Sequence, residues 1–280
     1  AGTTDTYDLV GMAEDVEDLI FSISPEETPL LTMAKKKTAT NTLHQWQTDA
    51  LATATSNKQV EGDDASYGTA TGTTMLTNHC QIARKTLILS DTTESVKKYG
   101  RASELARLVT KYGKELKRDI EFTLVTNQSS SVGGSQTARQ SAGLESMIAG
   151  NRIIVTTANT TGTSPAYTSS AWSAPTDGTT TGSTLTETDL INGIEAAWTD
   201  GGDPAVLMMN STQKKRFAGF SGATKYAGTY VPQGSKTAQA ALIGGVDMYV
   251  SDFGSHKLVL NRYMRTRTLF GIDPDYVSVA

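Results

Sequence analysis

An α+β fold is predicted for this chain on three observations. One strong amphipathic helix over about residues 102–127 stands among short strand-like patterns, with no regular βαβ repeat. Threonine accounts for about forty of the 280 residues, while hydrophobic residues make up only 38%. Such a composition suits β-structure and long polar loops better than a helical bundle. Third, residues 41–90 are strand-like at both ends around a tip with few large apolar groups. That is the pattern of a two-stranded arm that cannot build a core of its own.

Each element follows in order. Residues 1–24 are acidic, and Val10, Ala13, Val16, Leu19 and Ile20 fall at helical spacing opposite Glu14, Asp15, Glu17 and Asp18. A short amphipathic helix is expected there, broken by the Ser-Pro-Glu-Glu-Thr-Pro run at 24–29. An apolar stretch at 30–34 precedes Lys35, Lys36 and Lys37. Residues 43–47 alternate as an outgoing strand, and residues 80–83 and 86–89 are expected to return it. A short helix over 91–99 should stop at Gly100. In the helix at 102–127, Leu105, Leu108, Val109, Tyr112, Leu116, Ile120 and Leu124 form one apolar stripe, predicted to lie against a sheet. Glu104–Arg107, Lys111–Glu115 and Glu115–Arg118 support the wet side. At 1.5 Å per residue this helix is about 38 Å long, more than a compact small domain needs.

The second half is more conventional. Residues 142–155 are apolar, and 156–183 form a low-complexity Thr/Ser/Gly loop that carries Trp172. A helix is predicted over 187–199 with Leu190, Ile191, Ile194, Ala197 and Trp198 inward. A buried strand follows at 205–209, then a helix over 213–220 capped by Ser211 or Thr212. Residues 222–245 look like a mobile loop. Strands are expected at 246–250, 257–260, 265–270 and 277–280.

Several function classes are excluded. The net charge of −4, with an isoelectric point near 5.5, argues against holding nucleic acid by global charge. The single Cys80 excludes an internal disulfide framework and a cysteine zinc cage. No apolar run approaches the roughly 20 residues of a membrane span, and the polar, non-basic start at 1–8 does not resemble a signal peptide. Gly133-Gly134 and Gly201-Gly202 lack the Lys-Ser/Thr of a phosphate loop. Gly219-Phe220-Ser221-Gly222-Ala223 falls one residue short of a nucleophile elbow. A serine hydrolase acting through Ser221 is therefore a remote alternative to a plain Gly/Ser turn. His79 and Cys80, as strand neighbours, point to opposite faces and cannot form a nucleophile–base pair. His44 and His256 have no ligand-spaced partner, and Asp273 and Asp275 flank Pro274 as a turn would. The basic groups at 35–37, at 214–216 and at Arg262, Arg265 and Arg267 are best explained as solvated faces or subunit salt bridges. No catalytic, metal or cofactor site is predicted. A detachable N-terminal segment, a coreless arm and an overlong helix together suggest a subunit that buries its arms on neighbours.

The residues also resemble a known family. The run Ile-Phe-Ser-Ile-Ser-Pro-Glu-Glu-Thr-Pro-Leu at 20–30, His-Gln-Trp-Gln-Thr-Asp at 44–49, Gly-Arg-Ala-Ser-Glu-Leu at 100–105 and Lys-Glu-Leu-Lys-Arg-Asp-Ile-Glu at 114–121 are similar to tailed-bacteriophage major capsid proteins. The likeness is sharpest over residues 1–127. It implies the Hong Kong 97-type capsid fold, with residues 1–42 as N-terminal arm and 43–90 as extended β-loop. It further implies a peripheral domain at 91–138 with its spine helix at 102–127, an axial domain at 139–255, and C-terminal strands at 256–280 returning to the peripheral domain. Family members continue with further strand beyond the equivalent of residues 277–280.

The function implied is a non-enzymatic, self-assembling icosahedral head shell enclosing double-stranded DNA without sequence-specific contacts. Its partners would be copies of itself in hexamers and pentamers, together with portal, scaffolding and decoration proteins. Its place would be the virion capsid, assembled in the host cytoplasm, with no membrane and no cofactor. Subunit contacts are expected at Phe21, Pro25, Trp46, Asp49, Asp63, Asp64, Arg84 and Lys85. A bacterial nanocompartment shell of the same fold is the alternative; a cargo-docking groove would mark it, and none is legible.

Overall fold

A computed structural model describes residues 15, 17, 19–64, 67–155, 163–176, 184–217, 219–220 and 247–280. In chain order its elements are α1 (Pro29–Met33), β1 (Lys35–Lys36), β2 (Leu43–Thr48), β3 (Thr74–His79), α2 (Asp91–Ser95), α3 (Glu104–Val125) and α4 (Leu144–Met147). There follow β4 (Ala166–Thr168), β5 (Ala171–Ser173), α5 (Glu187–Thr199), β6 (Val206–Met209), α6 (Ser211–Phe217), β7 (Met248–Ser251), β8 (Gly254–Leu260), β9 (Leu269–Ile272) and β10 (Ser278–Val279). Helices and strands are mixed without a barrel among the described residues, as an α+β class requires. The chain divides into two compact units, Ala1–Glu27 with Ala83–Arg118, and Thr28–Ile82 with Asp119–Ala280.

The second unit holds the core. Its four-stranded sheet runs β7-β8-β6-β9, with β6 parallel to β8 and antiparallel to β9. All four residues of β6 are buried, so the strand is continuously apolar instead of alternating. Leu207 and Met209 face one cluster with Leu190 and Ile194 of α5, Phe217 of α6, and Phe220, Tyr249 and Leu258. Val206 and Met208 face the other, with Leu30, Val125, Met264, Phe270 and Ile272. The predicted helix over 187–199 is α5, opened by a capping box in which the Thr186 hydroxyl accepts from the Asp189 amide while Asp189 accepts from the Thr186 amide.

The second cluster is closed by α1, and one buried carboxylate holds that helix in place. Thr28 makes no side-chain capping bond. Instead Glu121, fully buried near the end of α3, accepts the amides of Leu30 at 2.9 Å and Leu31 at 2.7 Å. The Asn261 side-chain amide donates to the same carboxylate. A carboxylate at a helix N-terminus meets orphan donors and the positive end of the dipole. The chain continues into β1, which pairs in parallel with β10, and Lys35 Nζ bonds Asp275 at 2.7 Å.

In the first unit, Ser90 caps α2 and Glu94 accepts the amides of Glu104 at 3.1 Å and Leu105 at 3.4 Å, which caps α3. Gly100, at φ 72°, supplies the left-handed turn between them. Glu104 is buried between Arg101 and Arg107. Arg107 bonds Glu104 and keeps its carboxyl below the ordinary range.

Several expectations are corrected. The returning strand of the arm is Thr74–His79, while residues 80–90 form no strand; the run Thr-Met-Leu-Thr-Asn-His bonds β2 in full register, and the later apolar residues do not. The stripe on α3 is not a core face throughout. Leu105 is 49% and Val109 58% exposed, Leu108, Tyr112, Leu116 and Ile120 are half-buried, and only Glu121, Leu124 and Val125 reach the core. The unit containing residues 104–118 has no sheet among its described residues to cover the rest. Trp198, expected inward, is 60% exposed. Trp172, expected in a structureless loop, anchors the hairpin β4–β5. At α6 the side-chain Oδ1 of Asn210 accepts the Thr212 amide, in place of a Ser211 or Thr212 cap. The strand expected over 265–270 is displaced to β9. The helix predicted over 10–20 falls mostly outside the described residues, as do Ser221, the loop at 222–245 and much of 156–183.

Candidate functional site

The feature that stands apart from the core is the arm. Strands β2 and β3 pair antiparallel from Leu43↔His79 to Thr48↔Thr74. Beyond that register every described residue from 49 to 73 is exposed. The tip nevertheless carries large apolar side chains, with Leu51, Val60 and Tyr67 at 100%, 76% and 102% exposure. A two-stranded ribbon without a covering layer is marginal alone, and such side chains find cover only on another surface.

The arm's root is built differently. Thr77, on β3, is 2% exposed. Its carbonyl accepts the Trp172 indole N–H at 2.7 Å, and its hydroxyl lies 3.0 Å from both the Tyr167 hydroxyl and the Ser170 carbonyl. The neighbouring Asn78 accepts the Ala142 amide at 2.9 Å and donates to Ser141 Oγ at 3.2 Å. Gln81 accepts from the Gln128 side chain at 2.9 Å. Sequence reasoning missed this root. Its one available signal was a tryptophan in an otherwise polar loop.

The expected contact residues fall into two groups of four. Trp46 lies half-buried on β2 beside His44, their rings 6.1 Å apart. Asp49, Asp63 and Asp64 are exposed along the arm, with Asp63 in a turn whose amide donates to Val60 O at 3.2 Å. Phe21 (71% exposed), Pro25, Arg84 and Lys85 belong to the other unit, and all four are exposed. Lys85 approaches Glu115 at 3.9 Å, and Glu26, next to Pro25, bonds Lys114 at 2.8 Å. The expected contact residues are distributed surface positions, as contacts with other copies would be.

The titratable groups weighed for chemistry are structural. Asp273 and Asp275 form the expected turn, Asp273 Oδ1 accepting the Asp275 amide at 2.9 Å. His256, 1% exposed, places Nδ1 2.8 Å from the Pro204 carbonyl and Nε2 2.7 Å from Ser251 Oγ. The carbonyl can only accept, so Nδ1 donates to it, while the Ser251 hydroxyl also lies 3.3 Å from the Gly254 carbonyl. Cys80 is a free thiol that donates to Asn41 O at 3.4 Å. No described helix is long and apolar enough to cross a membrane.

Comparison with known proteins gives the arm a context. The family model described as SU10 major capsid protein matches residues 1–280. A major capsid protein of Escherichia phage Phieco32 is 28% identical over 293 residues, which covers 95% of this chain and 82% of that protein.

Proposed function

Because the chain belongs to the SU10 major capsid protein family, a family of structural proteins and not of enzymes, we propose that it forms a self-assembling icosahedral head shell around double-stranded DNA. The observation that carries this reading is the arm, a long exposed ribbon with uncovered Leu51, Val60 and Tyr67 and a root bonded to its own unit. Such an arm serves a subunit whose missing cover is another copy of itself.

The rest of the reading follows that of the Hong Kong 97-type fold. Residues 1–42 act as an N-terminal arm, 43–90 as the extended loop, 91–138 as a peripheral domain around the α3 spine and 139–255 as an axial domain, and 256–280 return to the periphery. Phe21, Pro25, Trp46, Asp49, Asp63, Asp64, Arg84 and Lys85 lie at contacts between copies in hexamers and pentamers. Portal, scaffolding and decoration proteins complete the particle, which assembles in the host cytoplasm.

Expression followed by negative-stain microscopy tests the proposal, and closed shells are expected. Hydrogen exchange gives the finer test. Amides at 49–73 should exchange freely in dissociated subunits and be protected in shells. Soluble monomers that never close into shells under any condition, or equal exchange in both states, would overturn it.

A further inference from the structure

We propose that the β4–β5 hairpin is an orienting clamp for the arm, with Trp172, Tyr167 and the carbonyl of Ser170 as its contact points. The inference rests on the capsid reading and adds to it the element that aims the arm. Its geometry is directional. The indole N–H can only donate, and it donates to the Thr77 carbonyl at 2.7 Å. The Ser170 carbonyl can only accept, so the Thr77 hydroxyl gives its proton there and receives that of Tyr167, each at 3.0 Å. Each side-chain polar atom of Thr77, Tyr167 and Trp172 is thereby used. The Tyr167 and Trp172 rings pack at 4.7 Å beside it.

The hairpin is itself fastened at its far side. Trp172 N donates to Ser130 Oγ at 2.7 Å, and Ser130 N donates to Trp172 O at 2.9 Å. Asn127 donates to Pro175 O at 2.6 Å. Residues 127 and 130 directly follow α3, so the clamp ties the arm's root to the end of that helix.

The turn of the hairpin adds a second, independent mark. Ser169 and Ser170 have φ of 53° and 61°. This two-residue turn favours Asn-Gly, and serine adopts it at a cost. Backbone held in a sparsely populated region persists where its surroundings over-determine it, and here the strained Ser170 offers its carbonyl to the arm. Orientation matters because of leverage. The half-arm from residue 48 outward spans at most about 40 Å, so a tilt of about 10° at the root moves the tip by roughly 7 Å. That is enough to miss a docking surface on another copy.

The test compares Trp172→Phe, which removes the indole N–H together with part of the ring, and Thr77→Val, which removes the hydroxyl at nearly constant volume, with the paired change Ser169→Asn/Ser170→Gly, which suits the turn and leaves the Ser170 carbonyl in place. In dissociated subunits, hydrogen exchange over 74–82 should rise about fivefold to tenfold in the first two variants and stay unchanged in the paired control. Shells from the first two should fall in yield or spread in diameter, and those from the control should match wild type. Unchanged exchange at 74–82 overturns the clamp. A loosened root with uniform shells of normal diameter overturns its orienting role. Should Trp172→Phe fail to fold, Thr77→Val and Tyr167→Phe carry the same readouts, since neither creates a cavity of more than a hydroxyl. If wild-type protein forms no shells, the capsid reading fails, and exchange at the root still decides whether the hairpin clamps the arm.

Discussion

Glu121 shows how much one side chain can decide at the residue scale. Its carboxylate meets two amides of α1 and the amide of Asn261, and so ties the N-terminal segment, α3 and the end of β8 into one core. Glu121→Ala leaves the buried Leu30 amide and the part-buried Leu31 amide without an acceptor, and the Asn261 side-chain amide with only the Met208 sulfur. A loss of about 2 kcal/mol or more is expected, measurable as a lower urea midpoint of the isolated subunit. Glu121→Gln should cost less, because one oxygen still accepts. Acid should act at different residues. Lys35 bonds Asp275, and Lys214 bonds Asp247, and each pair holds its carboxyl below the ordinary 3.8. A carboxyl whose pKa is lower in the folded chain adds stability above its ordinary value, and that contribution fades as pH falls through the lowered value. The contribution of these groups should therefore be fully present and constant between pH 7 and 5, and stability should decline below about pH 4. Asp275→Asn should flatten part of that decline in a pH series of thermal melts.

At the scale of elements, β6 and α3 make opposite cases. Strand β6 is buried on both faces, and Leu207 is 1% exposed. Leu207→Ala should cost about 2–5 kcal/mol in urea unfolding, a large share of a typical net stability of about 5–15 kcal/mol. Helix α3 carries as clear a pattern, yet Leu105 and Val109 lie about half in solvent. Leu105→Ser and Val109→Ser should leave the isolated subunit within about 0.5 kcal/mol of wild type. If the stripe meets another copy, the same changes will lower shell yield by microscopy or light scattering. Val125, fully buried at the other end of the helix, should behave like Leu207.

For the whole molecule, the arm and the exposed stripe describe a subunit whose apolar surface is not fully spent within one copy. Its surface ion pairs, such as Lys114–Glu26 with side chains 51% and 45% exposed, are individually weak, about 1 kcal/mol or less. A shell repeats each contact many times, so a small screened term becomes visible in assembly. Raising salt should shift the yield of shells while leaving the melting of dissociated subunits nearly unchanged. Turbidity and calorimetry over one salt series separate the two, and a flat assembly yield would remove charge pairing from the account.

What depends on local periodicity and local chemistry was legible in the residues alone. The span of α5, the apolar run that became β6, the long α3, the turn at Asp273 and Asp275, and an arm too poor in apolar residues to fold on itself all follow from spacing and residue type within a short window. The resemblance to phage capsid proteins was likewise legible in short motifs. Which pattern would find cover depends on long-range packing. The helical period of Leu105 and Val109 says that they share a face, and nothing within that window says whether a sheet lies opposite it. The returning strand of the arm escaped for the same reason: Thr74–His79 has only the adjacent Met75 and Leu76 as apolar residues and so no alternation, and its pairing is set by register with a strand 26 to 36 residues away. The root at Thr77 and Trp172, 95 residues apart in sequence, and the Glu121 contacts to Leu30 and Asn261, 91 and 140 apart, were beyond any local reading. Hydrogen-bond partners at such separations are fixed by how the chain packs, because the free energy that pairs them comes from burial of the whole core and not from the residues beside them.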